Sequence, residues 1–347
     1  MGTVLVFSGP RRVEHADEPD PPLAADEVRV RTLFSGISAG TELTAYRGTN
    51  PYLHKRWDSE RRLFVAGAAA QPAYPLVGWG YEEVGEICEL GANVRDLAIG
   101  QRVYGVWGHR THRVLSAEYV RPRLLPDGAE PLLGIFSNIG AIAFNGILDG
   151  QINLGETVAV FGMGVVGQLV AQLARLSGAR VIAVDLLPAR RELALRLGAA
   201  EALDGRGAAE AIKELTGGRG ADLCIEASGA TPALHEAIRA CAYSARVVAM
   251  GFFQGEARQL FLGEEFHHNR IAVVCSQISG VNPALQGRWD RLRLTTSFME
   301  LATAGRLELL PLISHVRPFA EAGALFEQLD QRPDEVLQAV LRFEEGV

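Results

Sequence analysis

Ala159-Val160-Phe161-Gly162-Met163-Gly164-Val165-Val166-Gly167 leads into an apolar run at helical spacing, and Val181-Ile182-Ala183-Val184-Asp185 follows it. A β-branched and aromatic strand, a glycine turn, a helix and a second strand ending on an acidic residue make the βαβ unit that holds a dinucleotide. Gly162 allows the sharp turn, Gly164 allows close approach of a pyrophosphate, and Gly167 allows the helix to pack on the strand. The amides of Val165 and Val166, at the start of that helix, face the phosphates.

Asp185, 18 residues beyond Gly167, selects between cofactors. A carboxylate there accepts from a ribose 2′-hydroxyl and repels a 2′-phosphate. Two unit charges about 4 Å apart at an effective dielectric near 20 repel by about 4 kcal/mol, nearly three decades in affinity, so NAD is expected over NADP. Arg190, with Arg191 beside it, either pairs with a phosphate or starts a solvated helix after Pro188. Ser228 and Gly251 complete the expected cofactor-binding set, at the ends of later strands.

The chain has 347 residues, 48% of them hydrophobic, enough for two cores. A net charge of −7 without a basic stripe argues against nucleic acid. No apolar run is read as approaching the length of a membrane span, and the short apolar N-terminus reads as a first strand rather than a signal, so a soluble cytoplasmic protein without a membrane partner is expected. The cysteines at 88, 224, 241 and 275 form no CxxC pair and read as buried thiols.

Residues 1–145 read as short strands between Gly and Pro turns, including 27–34, 82–90 and 101–106. From 157 onward strands alternate with helices: 157–161, 180–185, 201–203, 222–226, 246–251 and 271–276. This is an α/β chain, with a β-rich domain over 1–145, a doubly wound parallel six-stranded sheet over 146–287, and a return to the first domain over 288–347 through a helix at 290–304 and a closing run at 336–343.

This order of parts resembles the medium-chain dehydrogenase/reductase family, whose zinc-type alcohol dehydrogenases place a GroES-like β domain around a Rossmann domain. Gly36-Ile37-Ser38-Ala39-Gly40-Thr41-Glu42 resembles the family's Gly-Ile-Cys-Gly-Thr-Asp. Gly80-Tyr81-Glu82-Glu83-Val84-Gly85 resembles its Gly-His-Glu-x-x-Gly, and Gly100-Gln101-Arg102-Val103 its Gly-Asp-Arg-Val. The positions of the family's catalytic zinc ligands carry Ser38 or Ala39, Tyr81 and, by spacing, Asn138, which supply neither thiolate nor imidazole. Residues 105–125 lack the cysteines of its structural zinc. No metal is expected. The histidines at 109 and 112 and the pair His267-His268 read as residues of solvated loops rather than ligands.

Without zinc, side chains must hold the reacting oxygen and move its proton. The resemblance places Tyr81 at that oxygen, with its phenolate favoured by an oxidised nicotinamide, and Asn138 beside it. Glu82 orients Tyr81 or acts as base, and Thr41 carries the proton outward; Thr44 stands where many members have a relay histidine. Each has a structural alternative: Tyr81 as packing in the emptied metal pocket, Thr41 as a turn cap, Glu82 as an arginine partner. Residues 48–78 form a long segment bearing His54, Lys55 and Trp57; with Ser38 and Trp289 these are the candidate substrate contacts, or simply exposed charge and packing.

The leading expectation is a zinc-independent, NAD-linked dehydrogenase of a secondary alcohol: a polyol, cyclitol, sugar-type or hydroxyethyl compound. Its Ile-Ser-Ala-Gly-Thr-Glu stretch resembles the bacteriochlorophyllide dehydrogenase-like branch. An enoyl or quinone reductase, a transient-oxidation epimerase and a non-catalytic NAD(H) sensor are the alternatives. The resemblance implies a homodimer or homotetramer.

Overall fold

The computed structural model describes residues 1–66 and 72–344. It divides into two compact units, 1–138 with 313–347 and 139–312.

The first unit is β-rich. Its larger sheet runs in the order Ile313–Pro318, Gln338–Arg342, Glu27–Ile37, Glu83–Leu90 and Arg102–Gly105, with His112–Ser116 also paired to Glu27–Ile37. Alternation along Glu27–Ile37 turns Val28, Val30 and Thr32 inward, and Ile87, Val103 and Trp107 pack against the two valines. The closing strand Gln338–Arg342 lies antiparallel to Glu27–Ile37, with Ala339 opposite Ile37, so the chain does return to its first unit. A smaller sheet, Arg12–Glu18, Gly2–Gly9 and Leu76–Val77, supplies Phe7, which meets Phe326 edge-on at 5.2 Å in a second core.

The second unit is the expected parallel sheet, in the order Glu201–Asp204, Arg180–Asp185, Thr157–Phe161, Ala221–Glu226, Cys241–Ala249 and Ala272–Cys275. Every residue of Thr157–Phe161 is buried, as befits a strand covered on both faces. Strand order reverses between Thr157–Phe161 and Ala221–Glu226, and the carboxyl ends of such neighbours are where open α/β sheets bind ligands.

The units divide after Asn138 and Leu312, where the sequence placed the divisions after 145 and 287. Side-chain packing explains the difference. A Cβ at Gly140 would strike the ring of Phe298, so helices Phe136–Gly150 and Arg291–Thr303 interlock in the second unit, and Arg291–Thr303 is not part of the return. Two further expectations are corrected. Pro131–Gly150, with mean hydropathy 1.6, is long and apolar enough to span a bilayer; 67% of its most apolar window is buried within the protein, as for a core helix. Cys224 and Cys241 are buried, but Cys88 is half-buried and Cys275 exposed on an edge strand.

Candidate active site

Three hydroxyls meet in the first unit. Tyr81 Oη donates to Thr41 Oγ1 at 3.2 Å and makes a short hydrogen bond with Ser38 Oγ. Their meeting follows from how helix Ala39–Arg47 begins. Ser38 is its N-cap, but the serine hydroxyl caps nothing; Glu42 reaches back and accepts the Ser38 amide at 2.8 Å. Ser38 Oγ is thereby left for Tyr81.

Glu42 is itself held from behind. Its Oε2 is 2.6 Å from His109 Nε2, and His109 Nδ1 is 2.6 Å from Ser35 Oγ, which donates to Glu83 Oε1 at 3.1 Å. Glu83 Oε2 accepts the Trp107 amide at 2.7 Å. Because Ser35 gives its one proton to Glu83, it accepts from His109 Nδ1–H, while Nε2–H serves Glu42, so His109 is an imidazolium between two carboxylates. Burial alone would depress its pKa, but Glu42 and then Glu83 outweigh burial and hold it above the ordinary histidine value. Ser35, Glu42, Glu83 and His109 are all fully buried. His109 does lie in a loop, but its burial overturns the reading of that loop as solvated there. A Cβ at Gly80, whose φ is +106°, would lie 2.9 Å from both Glu83 Oε1 and His109 Cε1, so the backbone leading into Tyr81 rests on the same pair.

Glu82 does not orient Tyr81 by a hydrogen bond. Its Oε2 accepts from Gln338 Nε2 at 3.0 Å and its buried Oε1 has no partner. Burial, reinforced by Glu42 and Glu83, raises its pKa well above the ordinary glutamate value and favours the neutral form. Burial and then Glu82 also raise the Tyr81 phenol, against the lowering effect of Ser38 and Thr41. At rest the side chain is therefore held as the phenol.

Asn138 is buried on helix Phe136–Gly150. Thr44 Oγ1 donates to the Thr41 carbonyl at 2.7 Å and accepts from Asn50 at 2.6 Å, and so braces the helix. His54 bonds the Gly48 carbonyl, Lys55 is exposed, and Trp57 packs edge-on to Phe64 across the hairpin Arg56–Asp58 and Leu63–Val65. Residues 67–71 of that segment lie outside the described residues. Trp289 packs between Phe144 and the Arg293 guanidinium.

A catalytic zinc does not fit these donors. Ser38, Tyr81 and Thr41 offer neutral oxygens already bonded to one another, and both nitrogens of the adjacent His109 are taken.

In the second unit the glycine turn fits a dinucleotide. Gly162 has φ +92° and a Cβ there would meet Ser228 Cβ at 2.7 Å; a Cβ at Gly164 would meet nothing; a Cβ at Gly167 would drive into the Gly162 carbonyl. Gly164 caps helix Val165–Leu176 without a side chain, leaving the amides of Val165 and Val166 in its first turn. Asp185 accepts from the amides of Met163 at 2.6 Å and Leu187 at 2.8 Å, which pins its carboxylate under the turn with lone pairs to spare. Arg191 bonds the Asp185 and Leu186 carbonyls and Asp204, and the Arg190 carbonyl accepts from Gln168.

Sequence reasoning missed Glu226. Fully buried beside the turn, it gathers Ser228 and the Gly229 amide, and a Cβ at Gly251 would collide with its carboxylate and with Gly229. An acidic residue ending an apolar strand just before Ser228-Gly229 was the available signal. His109, Ser35 and Gln338 carried none, since their partners are remote in sequence.

The family model for zinc-binding dehydrogenases matches residues 165–292. The chain is 32% identical over 349 residues to D-guloside 3-dehydrogenases of Shigella flexneri and Escherichia coli K12, covering 98% of this chain and 99% of theirs. It is 26% identical to an L-galactonate-5-dehydrogenase of E. coli K12, with 98% of each chain covered. In fold it is similar to 2R,3R-butanediol dehydrogenase from Bacillus subtilis, with a TM-score of 0.78 at 19% identity over 99% of both chains. Galactitol-1-phosphate dehydrogenase from E. coli gives 0.76 at 19% identity over 98% of this chain and 99% of that one.

Proposed function

This chain belongs to the zinc-binding dehydrogenase family of medium-chain dehydrogenases, and from that premise we infer that it is a zinc-independent, NAD-linked dehydrogenase acting on a secondary hydroxyl of a sugar, glycoside or polyol. The observation that carries the reading is the Ser38–Tyr81–Thr41 hydroxyl cluster, in which Ser38 and Tyr81 occupy positions that the resemblance gives to metal donors.

Bound NAD supplies the hydride acceptor, and Asp185 with the glycine turn would hold it. The protein's task is the proton. A neutral phenol at Tyr81 donates to a carbonyl oxygen as that oxygen gains negative charge, so the resting protonation state serves ketone reduction directly. In the oxidative direction the alcohol proton passes from the substrate oxygen to Tyr81 Oη as Tyr81 releases its own to Thr41, which is partly exposed and is the outlet. Ser38 donates to Tyr81 Oη and keeps its lone pairs directed. Asn138 is assigned as a second donor to the substrate oxygen.

Sugar-type substrates are preferred because the full-length relatives are named for a guloside and a galactonate. A homo-oligomer would form through the edge strand Ala272–Cys275. The test is a panel of glycosides, aldonates, polyols and hydroxyethyl tetrapyrroles followed by NADH absorbance, with and without prior chelator dialysis. Turnover of a sugar-type alcohol that survives chelation is expected. Turnover that chelation abolishes and zinc restores would overturn the reading, as would activity confined to the tetrapyrroles.

A further inference from the structure

Among the described residues, one trio of ligand-type side chains converges, and it is in the second unit. It comprises His235 on helix Thr231–Ala240 and Glu264 and Glu265 on the single turn Leu262–Phe266, with one ligand atom of each within 4.8 Å of the others. We propose that this is a divalent transition-metal site, of the zinc class, which fastens the turn to the helix and takes no part in hydride transfer.

Neighbouring residues on a regular helix do not share a face. Glu264 escapes that limit because its backbone leaves the helical course, at φ −100° and ψ −123°, and both carboxylates come within reach of His235. Two polar atoms of the trio point to a ligand: His235 Nδ1 and Glu265 Oε2 are both shut off from solvent without a hydrogen-bond partner. Buried polar atoms are otherwise almost always paired. The Phe261 ring packs edge-on to the imidazole at 5.3 Å and limits its swing.

Charge favours a cation there. Arg239 lies 3.5 Å from Glu265, but its guanidinium is already bonded by Glu210 and Glu236, so one positive charge stands against four carboxylates. One imidazole and two carboxylates leave a fourth position for water, a donor set suited to zinc and unlike a calcium site, which takes oxygen alone. The pair His267-His268, prominent in the sequence, is exposed and stands outside the trio. Zinc found in a preparation of this protein is therefore assigned to His235 and not to Tyr81.

The experiment uses chelator-stripped full-length protein dialysed against micromolar zinc, with metal content measured, and cobalt absorption as a second readout. About one equivalent should bind, with affinity falling roughly tenfold or more in His235→Ala and in Glu265→Gln and unchanged in Ser38→Ala. Should His235→Ala not fold, Glu264→Gln alters an exposed side chain and must weaken binding as well. Failure of the wild type to retain metal, or retention undiminished in the variants, would overturn the proposal. Neither outcome bears on whether turnover needs metal, which the chelation assay reads separately.

Discussion

Glu42 joins His109 to Ser38: one carboxylate oxygen lies 2.6 Å from the imidazole and the other accepts the Ser38 amide at 2.8 Å. A buried ion pair thus sets the position of a serine hydroxyl, and through it the Tyr81 hydroxyl. Removing His109 would leave Glu42 charged and uncompensated, at a cost of about 3–5 kcal/mol. His109→Ala should lower the urea midpoint accordingly. A change under about 1 kcal/mol, the scale of an exposed pair, would show that the pair is not closed to solvent.

The same network gives stability a pH dependence of definite sign. The His109 pKa is raised on folding, so its contribution is complete below the ordinary value of 6.5 and is lost as pH climbs through the folded value. Glu82 and Glu83 act in the same direction from 4.5 upward, because burial raises the pKa of both on folding. Denaturation curves should therefore show stability declining as pH rises above 4.5, with the His109 share of the decline setting in above 6.5. His109→Gln should flatten that decline, and a wild-type profile that rises through this window would refute the assignment.

Tyr81→Phe keeps the ring and removes the hydroxyl. Turnover should drop by about two to four decades with NADH affinity intact. Ser38→Ala, which removes only the donor to Tyr81, should cost less and move the pH–rate profile. Equal activity of wild type and Tyr81→Phe would reduce Tyr81 to packing.

Gly167→Ala tests the cofactor turn. The new methyl has no room beside the Gly162 carbonyl, so helix and turn must separate. We expect a loss of about 1–3 kcal/mol in stability and at least tenfold weaker NADH binding by fluorescence titration. Gly164→Ala meets no protein atom, and so should weaken the cofactor while leaving stability unchanged.

Titrations with NADH and NADPH should differ by about two to three decades in favour of NADH. Asp185→Asn keeps one acceptor for the Met163 or Leu187 amide and removes the charge, and should narrow that ratio at least tenfold. Equal affinities in the wild type would reverse the cofactor preference.

The parallel sheet, its glycine turn and the acidic strand end were legible in the sequence because each is written in a short window: a run of β-branched residues, glycines at fixed spacing, a helix of set length. The absence of soft donors at Ser38 and Tyr81 was legible for the same reason. What only the tertiary structure decided is which side chains meet. His109 stands 67 residues from Glu42, and Gln338 stands 256 residues from Glu82. No periodicity records such meetings, because they depend on how strands distant in the chain pair in register. Burial likewise sets the resting protonation of Tyr81, since the cost of charge is set by everything packed around the phenol and not by its neighbours in sequence.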